Sequence, residues 1–527
     1  MNYSSRLPAA LSHYRLLAGS AFLLLAAASP AAIFKKNASD FPGIYHSGNI
    51  PAALTSVAKE ATANANNKDT VLWRLEQGAT LRTAALADPG TVPAIAAPAP
   101  APEPGQSPAA LATPPTGSDV SNAYIKQSLV AFDQAEEKVN SYEEQAKVKM
   151  GSEMGAALTN LSALPFRGHA YDKVMMNAYK ALNYMQLGQR DNARVELNRT
   201  LQRQRDAVAQ NEKHIKDTQE TEEKAKKGEV KDEGGKSASY DTDKAKSDPK
   251  TGPALNAVLE ASTANLVSYG DYVNPFTVFL DGLFFMVDGE GGSDLERGRK
   301  SMERVVQMLP NNPYAKEDLV LATAAAEGKA PEGLTYVFFE TGVGPDRDET
   351  RIDIPTFLVP SKVASVGAAF PKLVFNTTYI GTLGIKAGEQ TISTATLASM
   401  DSVIANDFKN EWPTVVSKTM ISTATKAIVQ AQAQKQTGKL GLIGSIGGTI
   451  ALTALNAATT HADTRVWSSL PKEFQYARLS TPADRQLSLV AGGHNQTVTL
   501  VPGAINVVYV KSISTTSALL VSQFAIK

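Results

Sequence analysis

The chain contains no cysteine among its 527 residues. This absence excludes disulfide bonds, thiolate metal sites, thiol nucleophiles and lipid attachment through cysteine, and it suits an oxidising compartment of the cell envelope. Net charge is also absent, because lysine plus arginine and aspartate plus glutamate number 52 each. No overall field therefore favours nucleic acid or anionic lipid as a partner. The hydrophobic content of 43% is that of an ordinary globular protein, so most of the chain is expected to fold.

The motifs of common catalytic sites are also missing. No P-loop sequence occurs, Gly342 and Gly344 precede a proline rather than a helix start, and Ser445 lacks the glycine that a nucleophile elbow requires two residues earlier. The six histidines do not pair with one another at a metal-ligand spacing, so a histidine metal site would need ligands distant in sequence. We therefore predict no catalytic residue, cofactor or metal, and we interpret the histidines as surface or capping residues.

The N-terminus has the pattern of a secretory signal. Arg6 and Arg15 precede an apolar run at residues 16–28, and small residues follow it. A basic start, a short apolar core and small residues are typical of a cleaved signal, so we predict a signal peptide at residues 1–31. An uncleaved membrane anchor is the alternative, but the run is shorter than the roughly 20 residues that span a bilayer.

A helix–turn–helix pattern recurs in the first half of the chain and predicts a tetratricopeptide-like helical domain at residues 40–328. In its clearest unit, Gly188 marks the turn, and the small residues Ala181 and Ala193 lie where two helices would touch. Such units cannot bury their apolar faces alone, so they stack. A plain helical bundle with chance glycines is the alternative. The other proposed units lie around Gly48, at residues 71–135 and at residues 282–313.

Two insertions interrupt this predicted array. Residues 89–119 are rich in proline and alanine, a composition that is extended and stiff and forms no core. Residues 211–252 form a charged low-complexity insertion in which acids alternate with lysines. We expect its first part to continue the preceding helix as a solvated rod, and the part after Gly228 to be disordered.

From Gly333 onward the composition favours strands, and we predict a β-rich domain at residues 333–527 with a helical insertion at about 396–460. Glycine and proline turns make the last three predicted strands an antiparallel meander. One β-sandwich whose strands flank the helical insertion is the simplest arrangement, and a separate β-subdomain on each side is the alternative. The predicted fold class is α+β. Strands are expected at residues 335–340, 351–354, 373–385, 475–479, 486–490, 497–501 and 506–510.

Polar residues on the third helical unit are the first candidates for partner binding. Helical-repeat grooves usually grip extended peptides or partner helices. Aromatic residues at helical spacing are more often core, so the polar positions are better candidates. They are Asn177, Lys180, Asn183 and Arg194.

The densest polar cluster lies at residues 346–353 and supplies two further candidates. The guanidinium group suits carboxylate recognition, so we predict that Arg347 and Arg351 contact a partner. An Asp-x-Asp pair can also bind calcium or magnesium, which makes a metal-dependent enzyme using Asp348 an alternative. The two arginines oppose that alternative because they would repel a cation.

Residues 440–460 contain no charged side chain and are long enough to span a membrane. They include a G-x-x-x-G pattern, which allows close approach of membrane helices. A buried helix of a soluble domain is the other interpretation. The candidates for membrane contact are Leu440, Gly444, Gly448 and Leu452.

Five stretches carry a resemblance to a known family: PFRGHAYDK at 165–173, DNARVELNR at 191–199, E-x-G with the nearby Pro345 at 340–345, RIDIP at 351–355 and DTRVWSSLP at 463–471. Together they resemble a poorly characterised family of Gram-negative envelope proteins, usually lipoproteins, with a tetratricopeptide-like N-terminal half. Members are typically anchored by a lipidated cysteine, which this chain lacks. The resemblance implies association with other envelope lipoproteins, including pore-forming secretion-type components.

These observations predict a non-enzymatic scaffold, exported to the periplasm or associated with the outer membrane, that binds protein partners through its helical repeats and its β-domain. The expected partners are envelope proteins, including lipoproteins or a pore-forming secretion-type component, and not nucleic acid. A membrane-associated subunit of an outer-membrane or secretion-type assembly, which docks or inserts residues 440–460, is the alternative. Membrane association and self-association stay open.

Overall fold

The computed structural model describes residues 40–95, 117–148, 161–231, 235–264, 266–357, 365–436 and 461–527. Internal contacts group Asp40–Lys527 into one unit. The predicted signal peptide lies outside the described residues, and so do the four candidates for membrane contact, Leu440, Gly444, Gly448 and Leu452.

The order of elements is helical first and then mixed, which confirms the predicted α+β class. Eleven α-helices of the described chain precede the first strand, and the twelfth lies between two strands. A short 3₁₀ helix spans Leu161–Ala163. The helices are α1 Phe41–His46, α2 Ile50–Ala63, α3 Thr70–Leu86, α4 Gly117–Val148, α5 Ala170–Gln186, α6 Arg190–Lys226, α7 Thr242–Lys246, α8 Thr251–Thr263, α9 Pro275–Asp288, α10 Gly292–Met308, α11 Ala315–Ala326 and α12 Met400–Gln436.

Consecutive helices pack against each other in pairs, chiefly α3 with α4, α5 with α6, and α9 with α10. Gly188 turns the chain between α5 and α6 with a φ of 69°, a left-handed conformation that glycine adopts without strain. Between α3 and α4, a Cβ atom on Gly78 would lie 2.5 Å from the ring of Phe132. The Ser128 hydroxyl also donates to the carbonyl of Gly78 at 2.7 Å. Small residues therefore set the close approach of these helices, as their spacing predicts.

The strands form a five-stranded sheet in the order β11-β10-β1-β7-β6, a four-stranded sheet in the order β5-β4-β8-β9, and a β2–β3 hairpin. In the larger sheet, β1 is parallel to β10 and antiparallel to β7. Helix α12 follows β6 directly and precedes β7 in the chain. The strands are β1 Leu334–Thr341, β2 Asp346–Pro355, β3 Ser365–Val374, β4 Gly384–Ala387, β5 Gln390–Ser393, β6 Ala395–Ser399, β7 Glu473–Ser480, β8 Gln486–Ala491, β9 His494–Thr499, β10 Ile505–Ser512 and β11 Leu520–Ala525.

The five-stranded sheet is buried on both faces. On β1, Tyr336 and Phe338 join the core shared with the helices, where the Phe338 ring lies 5.8 Å from that of Phe279 on α9. Val337 and Phe339 alternate with them and join a second core shared with the four-stranded sheet. Because successive side chains of a strand point to opposite faces, one sheet connects the helical part to the smaller sheet.

The strand-rich part differs from the sequence-based expectation in three respects. The last strands do not form a meander, because β9 pairs with β8 whereas β10 lies between β1 and β11. The stretch predicted at 373–385 begins eight residues earlier as β3 and continues after a loop as β4. A further strand, β11, follows at the C-terminal end. Its pairing with β10 is a contact that local composition does not reveal.

The charged stretch after Gly228 is ordered where it is described, contrary to expectation. Tyr240 is 1% exposed, and its backbone N–H donates to the carbonyl of Ala225 at 2.9 Å. Its ring lies 5.9 Å from that of Phe357, and α7 follows directly. A single buried aromatic residue thus anchors a segment whose charge suggested no core.

Helix α12 supplies the helical insertion predicted between strands. It packs on β3 and on α6, and it contributes Phe408 and Trp412 to the main core. Its residues up to Gln436 fall within the predicted limits, and the remainder of the prediction lies outside the described residues. Across the part of the chain that is described, no helix combines the length and apolarity needed to cross a membrane.

Candidate functional site

Three of the predicted partner-binding residues on α5 lie inside the protein. Asn177 and Asn183 are fully buried and Lys180 is 1% exposed. The Lys180 ammonium lies 2.6 Å from Glu136 of α4 and 2.9 Å from Glu196 of α6. These polar groups therefore connect neighbouring helices and do not form an open surface, which corrects the prediction.

Their hydrogen bonds explain why polar residues occupy these buried positions. Asn177 donates to Glu136 at 3.0 Å and to Glu196 at 2.7 Å, while Asn183 donates to the Ser128 hydroxyl at 3.0 Å. Burial lowers the pKa of Lys180, but Glu196 and Glu136 raise it more, so the net shift is upward. The ammonium therefore stays charged, and the cluster acts as a polar junction of three helices.

Arg194, the fourth candidate on this unit, lies at the surface between two helix pairs. Its guanidinium donates two hydrogen bonds to the carboxylate of Asp294 at 2.6 and 2.7 Å, and it lies 5.2 Å from the centre of the Phe285 ring. This forked ion pair joins α6 to α10 at one end of a groove.

That groove has a volume of about 430 Å³ and runs between α6 and α10. Asn198, Leu201, Gln202 and Arg205 line it from α6, and Arg297 lines it from α10. The α6 residues recur at intervals of three and four, so they share one helix face. Arg205 is exposed and makes no hydrogen bond or ion pair with any described residue. The groove thus presents an available cation beside an apolar side chain.

The polar cluster at residues 346–353 forms strand β2, whose side chains alternate between faces. Asp348 and Glu349 therefore lie on opposite faces: Asp348 is 3.5 Å from Lys372, whereas Glu349 is 3.2 Å from Arg351. Arg351 remains partly exposed. Arg347 is buried, with 4% of its side chain exposed, which is incompatible with its predicted role as a surface contact.

Arg347 instead reaches a cluster of titratable side chains between α5 and α12. Its Nη2 lies 3.4 Å from Glu411 Oε2 and 3.4 Å from His169 Nδ1. His169 immediately precedes α5, and its backbone N–H donates to the Asp172 carboxylate at 2.8 Å. Asp407 and Glu411 are one turn apart on α12, so both point to the same side of the helix. One possible ligand atom from each of His169, Asp407 and Glu411 lies within 4.8 Å of the others.

Asp407 is the unusual member of this cluster. It is 2% exposed, and neither of its carboxylate oxygens has a hydrogen-bond partner among the described residues. It borders a cavity of about 10 Å³ that is also lined by Tyr171 and Tyr272. Tyr272 has a φ of 59°, a conformation that costs a non-glycine residue about 1–2 kcal/mol. The cavity has room for about one water molecule or ion.

The pKa values in the cluster move in opposite directions. Burial and the neighbouring Glu411 raise the pKa of Asp407. Burial raises the pKa of Glu411. The neighbouring His169 and Arg347 lower this pKa by a larger amount, so the net shift is downward. Burial raises the pKa of Asp172 to about 6. The protein thus holds one carboxylate that favours the charged form beside one that favours the neutral form.

The comparisons with known proteins identify no relative. No protein-family model, curated protein or solved structure matches the chain. The case for a function therefore depends on the groove, the titratable cluster and the resemblance carried by the five sequence stretches.

Part of this cluster is visible in the sequence. The Asp407 and Glu411 spacing of four residues within a helical stretch places two carboxylates on one face. His169 was interpreted as a surface or capping residue, and its backbone is indeed capped by Asp172, but 86% of its side chain is buried. Nothing in the local sequence links it to α12, since 242 residues separate it from Glu411.

Proposed function

We propose that this protein is a non-enzymatic scaffold of the Gram-negative envelope that binds an acidic segment of a partner protein. The observation that carries the proposal is the groove between α6 and α10, in which Arg205 makes no ion pair with the described residues. An arginine offers a planar fork suited to a carboxylate, and Leu201 beside it offers apolar contact. An extended partner segment with one acidic and one apolar side chain suits this lining.

The helical architecture supports the same proposal. The pairs α3–α4 and α9–α10 pack closely at Gly78 and Gly298, and short connections of three residues join α5 to α6 and α9 to α10, features that a tetratricopeptide-like array also has. The groove lies between the second helices of two such pairs, and repeat proteins commonly bind extended chains on surfaces of this kind. The core shared by the two sheets supports a β-sandwich-like arrangement of this part, which we propose docks a second envelope protein.

The size of the titratable cluster argues for binding rather than catalysis. Its cavity of about 10 Å³ has room for a water molecule or an ion, whereas small-molecule sites are typically ~300 Å³ or larger. The envelope location and the expected partners, lipoproteins or a pore-forming secretion-type component, come from the resemblance of the five sequence stretches and from the N-terminal signal pattern.

Crosslinking in the native host tests this proposal. Wild type, Arg205→Glu and Lys126→Glu carry the same C-terminal tag, are crosslinked and are purified without separating membranes, and mass spectrometry identifies the recovered proteins. Lys126 is an exposed lysine on α4. Its replacement by glutamate makes the same change of charge at a position outside the groove. We expect wild type and Lys126→Glu to recover the same envelope proteins, and Arg205→Glu to lose at least one of them. Equal recovery by all three proteins, or recovery of the chain alone, would contradict the proposal.

A further inference from the structure

The cluster around Asp407 carries more negative charge than its neighbours balance. Three carboxylates, those of Asp172, Asp407 and Glu411, adjoin one arginine, Arg347. When all three carboxylates are ionised and His169 is neutral, the group has a formal charge of −2. Burying a carboxylate without a partner is costly, and both oxygens of Asp407 lack one among the described residues. A bound proton or a bound cation must therefore offset this charge.

We propose that His169, Asp407 and Glu411 bind one divalent transition-metal cation, for which Zn²⁺ is the appropriate probe. This inference goes beyond the proposed scaffold function and does not depend on it. Zinc binds both imidazole nitrogen and carboxylate oxygen, and many zinc sites have three protein ligands and a water molecule. The ligand atoms lie within 4.8 Å of one another, and those of a tetrahedral zinc site are about 3.4 Å apart. A small inward movement of the side chains completes the site.

The contacts of His169 also favour a cation. Its Nδ1 lies 3.2 Å from the acceptor Glu411 Oε1 and 3.4 Å from the donor Arg347 Nη2. One nitrogen cannot donate to the first and accept from the second at the same time. Metal coordination would use the lone pair of Nδ1 and leave Nε2–H to donate to the Arg465 carbonyl, 3.5 Å away. Metal-binding histidines usually donate their second nitrogen in this way.

Arg347 is the main objection, because its positive charge opposes a second cation. The formal charge of −2 already includes this arginine, so a divalent ion makes the group neutral. The guanidinium also lies 5.6 Å from the centre of the Phe408 ring, which holds it against α12. The cavity beside Asp407, about 10 Å³ in volume, provides space for one water molecule as a further ligand.

The ion would connect segments that are distant in the chain. His169 immediately precedes α5 in the helical part, whereas Asp407 and Glu411 belong to α12, between two strands of the large sheet. A cation bound only by the folded arrangement stabilises it by mass action. The site is therefore expected to fasten the two parts of the protein together.

Zinc binding by the full-length chain tests the assignment. The purified protein is dialysed against a chelator, returned to metal-free buffer and titrated with ZnCl₂ by calorimetry and by thermal unfolding. We expect one zinc site per chain. The Tm should rise by about 2 °C or more when the concentration of free zinc exceeds its Kd about a hundredfold. X-ray absorption should show a first shell of nitrogen and oxygen. Sulfur ligands are excluded because the chain has no cysteine.

Two variants and a control locate the site. Asp407→Asn and His169→Gln are each expected to weaken zinc binding at least tenfold and to abolish the rise in Tm. His494→Gln removes a histidine on β9 outside the cluster and should bind like wild type. Asp407→Asn also removes a buried charge, so it should remain folded. Unchanged affinity in the first two variants, or loss in His494→Gln alone, would overturn the site. The absence of saturable zinc binding in wild type would also overturn it and leave a proton as the neutralising group.

Discussion

Glu76 and Ser468 are 392 residues apart in the sequence and are joined by two hydrogen bonds. The Ser468 backbone N–H and hydroxyl donate to Glu76 Oε1 at 2.6 and 2.7 Å, and Ser469 donates to the other carboxylate oxygen. Glu76 is 2% exposed. Helix α3 is thus held to the segment before β7 by a carboxylate that water hardly reaches, so the helical and strand-rich parts share a buried polar contact.

Glu76→Gln is expected to flatten the pH dependence of stability. Burial raises the pKa of Glu76 to about 7, although hydrogen bonds from Ser469 and Ser468 oppose the shift. The folded state therefore binds the proton more tightly than the unfolded state. The contribution of Glu76 to the free energy of unfolding should fall by about 3 kcal/mol as pH rises from about 4.5 to about 7.

Urea denaturation across this pH range measures the difference between wild type and Glu76→Gln. Because glutamine does not titrate, the advantage of wild type should shrink as pH rises. Glu137→Gln changes an exposed residue on α4 and serves as the control. Its free energy of unfolding should change with pH in the same way as that of wild type. A difference between wild type and Glu76→Gln that is constant with pH would contradict the assignment.

Lys511→Met is expected to destabilise the protein by about 3–5 kcal/mol, because the Lys511 ammonium forms a buried ion pair with Glu340 and its loss leaves that carboxylate without its cation. Glu340 is 1% exposed, and it also accepts hydrogen bonds from Tyr509 at 2.6 Å and Tyr179 at 3.0 Å. Adding Glu340→Gln should recover much of the loss, since the unpaired charge disappears. A double-mutant cycle by urea denaturation measures both effects. Additive losses would mean that the two residues do not interact.

Lys180→Met separates a structural role from a partner-binding role. The substitution removes the ammonium between Glu136 and Glu196, but Arg199 still contacts both carboxylates, so we expect a loss of about 1–3 kcal/mol in the free energy of unfolding. Lys126→Met on the exposed face of α4 should change it by less than about 0.5 kcal/mol. Equal stability of both variants would show that the ammonium of Lys180 is not needed to hold the three helices together.

Gly298→Ala tests the close packing of α9 and α10. A Cβ atom at this position would lie 2.7 Å from the backbone nitrogen of Met286, and backbone cannot move aside as a flexible side chain can. We expect a loss of about 1–3 kcal/mol from overpacking. Gly292→Ala, at the start of the same helix, has no atom within 4 Å of the added carbon and should be nearly neutral. Thermal unfolding of the two variants compares them directly, and equal Tm values would show that α9 can shift to accommodate the methyl group.

The helices and several strands were predictable because their signals are local. Gly188 and Ala193 mark a turn and a close contact through their own size, and the pattern at 335–340 is that of a strand. The parallel pairing of β10 with β1 was not predictable, because it joins residues that are far apart in the chain.

Contacts between residues far apart in the sequence also limited the prediction of the candidate site. Lys180 is a polar residue on a helix, and its sequence position does not reveal that Glu136 and Glu196 enclose it. The helical spacing of Asp407 and Glu411 was open to prediction, whereas the approach of His169 depends on how α5 packs against α12. Tertiary contacts therefore decide which polar residues are exposed and which are part of a buried cluster.

Site-specific photocrosslinking in the groove tests the scaffold function most directly. A photoreactive amino acid replaces Gln202 in the groove, or Lys126 on α4 as the control, in the native host, and mass spectrometry identifies the adducts. We expect a discrete crosslink from position 202 to an acidic segment of an envelope protein. This crosslink should disappear when Arg205→Glu is added, and it should not form from position 126. If position 202 gives no protein adduct, or the same adducts as position 126, the groove is not a partner-binding surface and the proposed function is wrong.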